Sequence, residues 1–185
     1  ATICDRVAAM DLTLAPGQRL QALRGLLADA HGAIRAEAAA RGGGVTIGAT
    51  VVALMLADSH FVVLWAGDSR AYLLREGALQ MLSSDHSLVA ELVHAGQLSW
   101  DEAEHHPQSN AITRAVGVGD PLDLDKVHGQ VLPGDRFLLC SDGLSKYAGI
   151  DHLGRLLAQS PLEVVADRLI QHALDGGGAD NISVI

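Results

Sequence analysis

Two stretches of this sequence place a carboxylate where chemistry could be done. In Phe137-Leu138-Leu139-Cys140-Ser141-Asp142-Gly143 an apolar run of strand character delivers an aspartate at its end, followed by glycine. In Gly176-Gly177-Gly178-Ala179-Asp180-Asn181-Ile182 a glycine run delivers an aspartate just ahead of residues that read as a strand. Carboxylates at strand ends are oxygen ligands on rigid supports, and hard divalent cations take oxygen ligands. Glycine beside them lets the backbone approach a ligand closely. Each stretch taken singly is also an ordinary Asp-containing turn, and spacing alone does not bring the two together. Asp68, in Gly67-Asp68-Ser69, reads as a structural turn residue between two strands.

Other reactive residues fit their motifs poorly. Cys140 lies in an apolar run and reads as a buried strand thiol. Lys146 stands where the arginine of a Cys-x5-Arg phosphate cradle belongs. Neither Cys4 nor Cys140 belongs to a Cys-x-x-Cys pair, so there is no zinc knuckle and no disulfide framework. Residues 43–50 imitate the spacing of a nucleotide-binding P-loop, but Ala49 occupies the lysine position. Gly117-Val118-Gly119 lacks the third glycine of a dinucleotide fingerprint. His86, His94, His105 and His106 crowd one stretch without a His-Glu-x-x-His spacing, and read as surface histidines.

The elements that must position these residues follow from periodicity. Leu20, Leu23, Leu26, Leu27 and Ile34 recur at helical spacing, predicting a helix over 16–41 that Gly42-Gly43-Gly44 ends. Strands are predicted over 46–57, 60–66, 70–75 and 78–82. Their connections are too short for parallel crossovers, so an antiparallel meander is expected. Short helices follow over 87–95 and from Ser99, where Ser99-Trp100-Asp101-Glu102 has the pattern of a capping box. Strands over 111–116, 122–128 and 136–141, helices over 153–157 and 161–174, and a last strand from Asn181 complete the order. Pro161 suits a first-turn position. This order is that of an α+β fold with antiparallel sheets.

Composition sets the class. With 185 residues, 49% hydrophobic and 19% charged, the chain suits one globular domain. Aromatics are only 3%, so the core has to be built from Ala, Val, Leu and Ile. A net charge of −9 argues against nucleic acid and anionic membrane surfaces as partners. No apolar run approaches the ~18 residues of a membrane-spanning helix. The first residues lack the basic-then-apolar pattern of a signal peptide, so a cytoplasmic location is expected. The chain starts at Ala1 and stops at Ile185, inside a strand pattern, and is expected to be cut at both ends.

From Ile47 onward a run of motifs resembles the protein phosphatase 2C (PPM) family, in the family's order. They are Gly48-Ala49-Thr50-Val51-Val52, Trp65-Ala66-Gly67-Asp68-Ser69-Arg70-Ala71-Tyr72, Ser84-Asp85-His86-Ser87-Leu88-Val89, Asn110-Ala111-Ile112-Thr113-Arg114-Ala115-Val116-Gly117, Leu138-Leu139-Cys140-Ser141-Asp142-Gly143-Leu144 and Asp180-Asn181-Ile182-Ser183-Val184. The resemblance implies a single domain over 1–185: a four-layer αββα sandwich of two antiparallel sheets flanked by helices, with metal ions in the cleft between the sheets. By motif, Asp142 and Asp180 match metal-binding aspartates. Asp85 matches an aspartate that helps hold a third, weaker metal in bacterial members. The histidine stretch falls in a flap beside the cleft. The family's upstream Asp-Gly-Met-Gly-Gly aspartate and phosphate-binding arginine have no match in this sequence, so the chain alone is expected to be inactive.

The activity implied is hydrolysis of phosphoserine and phosphothreonine on proteins by a metal-activated water, opposing a bacterial Ser/Thr kinase. Two to three Mn2+ or Mg2+ ions are implied. No protein nucleophile is called for, and no catalytic side chain is assigned. The other reading of the same fold is a pseudophosphatase that binds a partner. Residues 46–50 and 65–69 are similar to the phosphatases that accompany bacterial type VI secretion systems. That similarity implies a forkhead-associated scaffold or the cognate kinase as the phosphorylated partner.

Overall fold

The computed structural model describes residues 3–104 and 106–185. The elements are α1 (Ile3–Ala8), α2 (Pro16–Arg41), β1 (Val51–Ala57), β2 (His60–Ala66), β3 (Arg70–Arg75), β4 (Ala78–Met81), α3 (Leu88–His94), α4 (Trp100–Glu104), β5 (Asp125–Gln130), β6 (Arg136–Cys140), α5 (Asp142–Ser145), α6 (Ile150–Gln159) and α7 (Leu162–Asp175). None of these helices is long and apolar enough to cross a membrane.

The long helix keeps its predicted bounds because both ends carry stop signals. Pro16 opens it, and the Gln18 side chain accepts from the Ala15 amide at 3.1 Å. Gly42 closes it at a φ of 66°. Leu23 and Leu27, one turn apart, bury against Leu64 and the outer face of the first sheet. That sheet has the order β1-β2-β5, and the second has the order β4-β3-β6; all pairings are antiparallel. Between the sheets, Phe61, Val63 and Trp65 meet Ala71, Leu73 and Leu139. Alternation along β3 and β6 sends Tyr72, Leu74, Leu138 and Cys140 to the opposite face. There Leu144, Leu153, Leu157, Val165 and Leu169 of α5, α6 and α7 cover them. The layers are therefore helix, sheet, sheet, helix, as expected.

Other expectations need correcting. The four early strands form two hairpins, not one meander, because β2 and β3 lie in different sheets. The switch occurs at Gly67, whose φ is 115° and where any Cβ would collide with the Thr50 side chain. Residues 46–50 stay outside β1. The segment 111–116 is no strand: it makes single bridges to two separate partners, Ser87↔Ile112 and Ala49↔Val116, so no ladder propagates. The strand predicted over 122–128 lies at Asp125–Gln130. The strand expected from Asn181 shrinks to its tail, where Leu139 and Ile185 exchange backbone hydrogen bonds at 2.9 Å each way. Pro161 is the N-cap of α7, one position earlier than expected.

Candidate metal cleft

The end of β6 and the start of the 181–185 tail are held together by Ser141 and Gly143. The Ser141 hydroxyl donates to the Asn181 carbonyl and accepts from the Ser183 amide, both at 3.0 Å. A Cβ on Gly143 would collide with the Asn181 carbonyl oxygen, so glycine is required for this approach. Tyr147 holds the glycine run before Asp180. Its ring lies where a Cβ on Gly176 would sit 2.9 Å away. Its hydroxyl accepts from the Ala179 amide at 3.0 Å. His172 of α7 in turn sits 3.0 Å from the Tyr147 carbonyl oxygen.

These contacts bring together the two aspartates that spacing left apart. The Lys146 ammonium is 2.6 Å from Asp142 Oδ2 and 3.6 Å from Asp180 Oδ2. Asp142, with Asp180 adding to it, holds the lysine's pKa above its ordinary value. One positive charge thus stands between the two predicted carboxylates.

Asp85 is placed by the strand opposite. Arg70 of β3 donates to it in a fork, Nε to Oδ1 at 2.9 Å and Nη2 to Oδ2 at 2.6 Å. Asp68 is half-buried in the turn that switches sheets. Burial raises its carboxyl pKa first, and the neighbouring Asp142 and Asp85 charges raise it further. Sequence reasoning left Asp68 as a turn residue. The available signal was that it repeats the pattern of Asp142, an aspartate next to glycine at the end of an apolar strand.

Asp68, Arg70, Asp85, Asp142 and Lys146 line one cleft of about 620 Å³. Its far wall comes from the 87–110 segment, where Trp100 is 57% exposed and meets His94 edge-on. The capping box expected at α4 is present: the Ser99 amide donates to Glu102 at 2.8 Å, and the Glu102 amide to Ser99 Oγ at 3.3 Å.

The histidines of this stretch do different things. His86 is buried, contrary to the surface reading, because both ring nitrogens are used. Nδ1 accepts from the Gly67 amide at 3.2 Å, and Nε2 lies 3.1 Å from Asp125 Oδ2. With Trp65 donating from Nε1 to the Ser84 carbonyl at 2.8 Å, this fastens the Asp85 segment to the Asp68 turn. His94 packs on Trp100, His106 Nδ1 accepts from the Gln108 amide at 3.1 Å, and His105 lies outside the described residues. Cys140 is buried as expected, and burial pushes its thiol up to about 12, so it is no nucleophile near neutrality.

Among the described residues, no three His, Cys, Asp or Glu side chains are grouped closely enough to form a metal-ligand set. The donor chemistry nonetheless fits a hard cation. Both side-chain oxygens paired with Lys146 belong to carboxylates, and they already converge on one positive charge.

A family model described as protein phosphatase 2C matches residues 6–177. The serine/threonine phosphatase stp of Listeria monocytogenes is 39% identical over 140 residues, covering 75% of this chain and 56% of its own length. The chain thus spans about half the length of such curated relatives. Among solved structures, PppA, described as a key regulatory component of T6SS in Pseudomonas aeruginosa, superimposes with a TM-score of 0.89 at 40% identity. That match covers 98% of this chain and 75% of the other. The catalytic domain of the serine threonine protein phosphatase PstP, in complex with two manganese ions, superimposes with a TM-score of 0.81 at 31% identity, covering 98% and 76%.

Proposed function

From the premise that this chain belongs to the protein phosphatase 2C family, we propose that it is part of a single-domain protein phosphatase acting on phosphoserine and phosphothreonine. Asp142 and Asp180 hold its central cations, and Asp85 helps hold a further, weaker one. The observation that carries this reading is the convergence of Asp142 and Asp180 on the Lys146 ammonium, at the edge of a cleft that Asp142 and Lys146 line with Asp68 and Asp85. The ions proposed are Mn2+ or Mg2+, two to three in number; the complex of the related PstP domain with two manganese ions supports a pair of Mn2+.

Bound there, hard divalent ions lower the pKa of water and neutralise phosphoryl oxygens. The chain's own residues do the rest. Ser141, Gly143 and Tyr147 hold Asp142 and Asp180 at fixed separation. Arg70 aims Asp85, and the cleft admits the phosphorylated side chain between those carboxylates and the Trp100 wall. Cys140 takes no part. The substrate is a phosphorylated cytoplasmic protein. The likeness to PppA supports a type VI secretion setting, and the partner proposed there is a forkhead-associated scaffold or the cognate kinase.

The test is phosphate release from a phosphothreonine peptide by the chain joined to its family's upstream aspartate-bearing segment. Release that depends on Mn2+ or Mg2+ and stops with EDTA is the expected outcome. A folded protein releasing none with either ion overturns the enzyme reading in favour of a partner-binding pseudophosphatase.

A further inference from the structure

Lys146 occupies an unusual place for a lysine four residues after a candidate metal ligand. It follows the single turn of α5, and its ammonium contacts Oδ2 of Asp142 and Oδ2 of Asp180. Those two carboxylates lie 38 positions apart in sequence and would repel one another without a counter-charge. The lysine side chain is 42% exposed and lines the open cleft, so it has room to swing away. An ammonium on a flexible stem is a weaker and more mobile counter-ion than a divalent cation, and both use the same oxygens.

We propose that Lys146 is a built-in competitor for the metal, holding Asp142 and Asp180 together without it and leaving when a divalent ion enters. This inference rests on the assignment of those two aspartates as metal ligands. In this role Lys146 sets how tightly the site takes a cation, and it favours ions that carry enough charge to displace an ammonium. It also keeps the 176–180 loop docked while the site waits for metal. Lys146 holds no cation and takes no part in the chemical step, so it is a positioning residue.

The experiment is a Mn2+ titration of the full chain, followed by the electron paramagnetic resonance of free Mn2+, with thermal melts in EDTA alongside. Lys146→Met is compared with wild type, Lys146→Arg and Asp142→Asn. Lys146→Met is expected to bind Mn2+ about two- to fivefold more tightly, the scale of losing one partly exposed competing ion-pair partner. It is also expected to melt at a lower temperature than wild type in EDTA, because two carboxylates then face each other uncompensated. Lys146→Arg keeps the charge and is expected to bind no more tightly than wild type. A lysine that merely braced the loop would give weaker Mn2+ binding on replacement, and equal or weaker binding by Lys146→Met overturns the proposal. If wild type and Lys146→Met bind equally and Asp142→Asn loses binding, only the lysine's role falls. If neither binds Mn2+, the metal assignment falls with it.

Discussion

At the scale of single residues, the chemistry depends on which side chains are buried and which are aimed into the cleft. Cys140 and Cys4 differ in this way: one is buried at the end of β6, beneath the helices, and the other is exposed on α1. With its thiol pushed up to about 12, Cys140 is expected to resist alkylation in the folded protein. Thiol titration with a chromogenic disulfide is expected to show one fast thiol in buffer and two in denaturant; two fast thiols in buffer would show that the β6 layer is open. Asp142 and Asp180 were legible as candidates because each stands beside glycine or asparagine at the edge of a strand-like run. Asp68 has the same signature but also sits where a hairpin turn would be expected, and the turn reading absorbed it. Nothing in sequence marked Lys146 as the group between them, since that contact depends on a loop docking from 34 positions away.

At the scale of elements, local signals read well and long-range pairings did not. The hairpins β1–β2 and β3–β4 turn at Asp58 and at Glu76-Gly77, which take positive φ, and such turns are written in adjacent residues. The change of sheet at Gly67 is decided by Thr50 and by β6, neither of them near in sequence. The β5–β6 connection is fixed the same way, from a distance. Arg75 at the end of β3 forks onto Asp135, Nε to Oδ1 at 2.9 Å and Nη2 to Oδ2 at 2.7 Å, while Nη2 also donates to the Gln130 carbonyl at 2.7 Å. The Arg75 hydrogen bonds hold the Asp135 carboxyl down to about 2. A depressed folded-state pKa contributes stability above the unfolded value of about 3.9, and that stability is lost as pH falls toward the folded value. Melting temperatures of wild type and Asp135→Asn are therefore expected to differ by a constant amount above about pH 5 and to converge toward pH 2. A gap that widens on acidification would contradict this assignment.

At the scale of the whole molecule, the two sheets exist to face each other and to present their ends to one cleft. The α+β class was legible from element order, but the four layers came from family likeness, because periodicity does not say which sheet a strand joins. On the proposed reading, the carboxylates that would hold cations come from the start of α5, from the 176–180 loop, from the 84–86 segment and from the sheet-switching turn. The central claim is that Asp142 and Asp180 act as one cation site. It is tested most directly by Mn2+ dissociation constants for wild type, Asp142→Asn, Asp180→Asn and the double variant. The account predicts that either single replacement weakens binding at least tenfold, and that the double replacement loses far less than the sum, because each carboxylate needs the other. Single variants that bind Mn2+ like wild type, or losses that simply add, would contradict it.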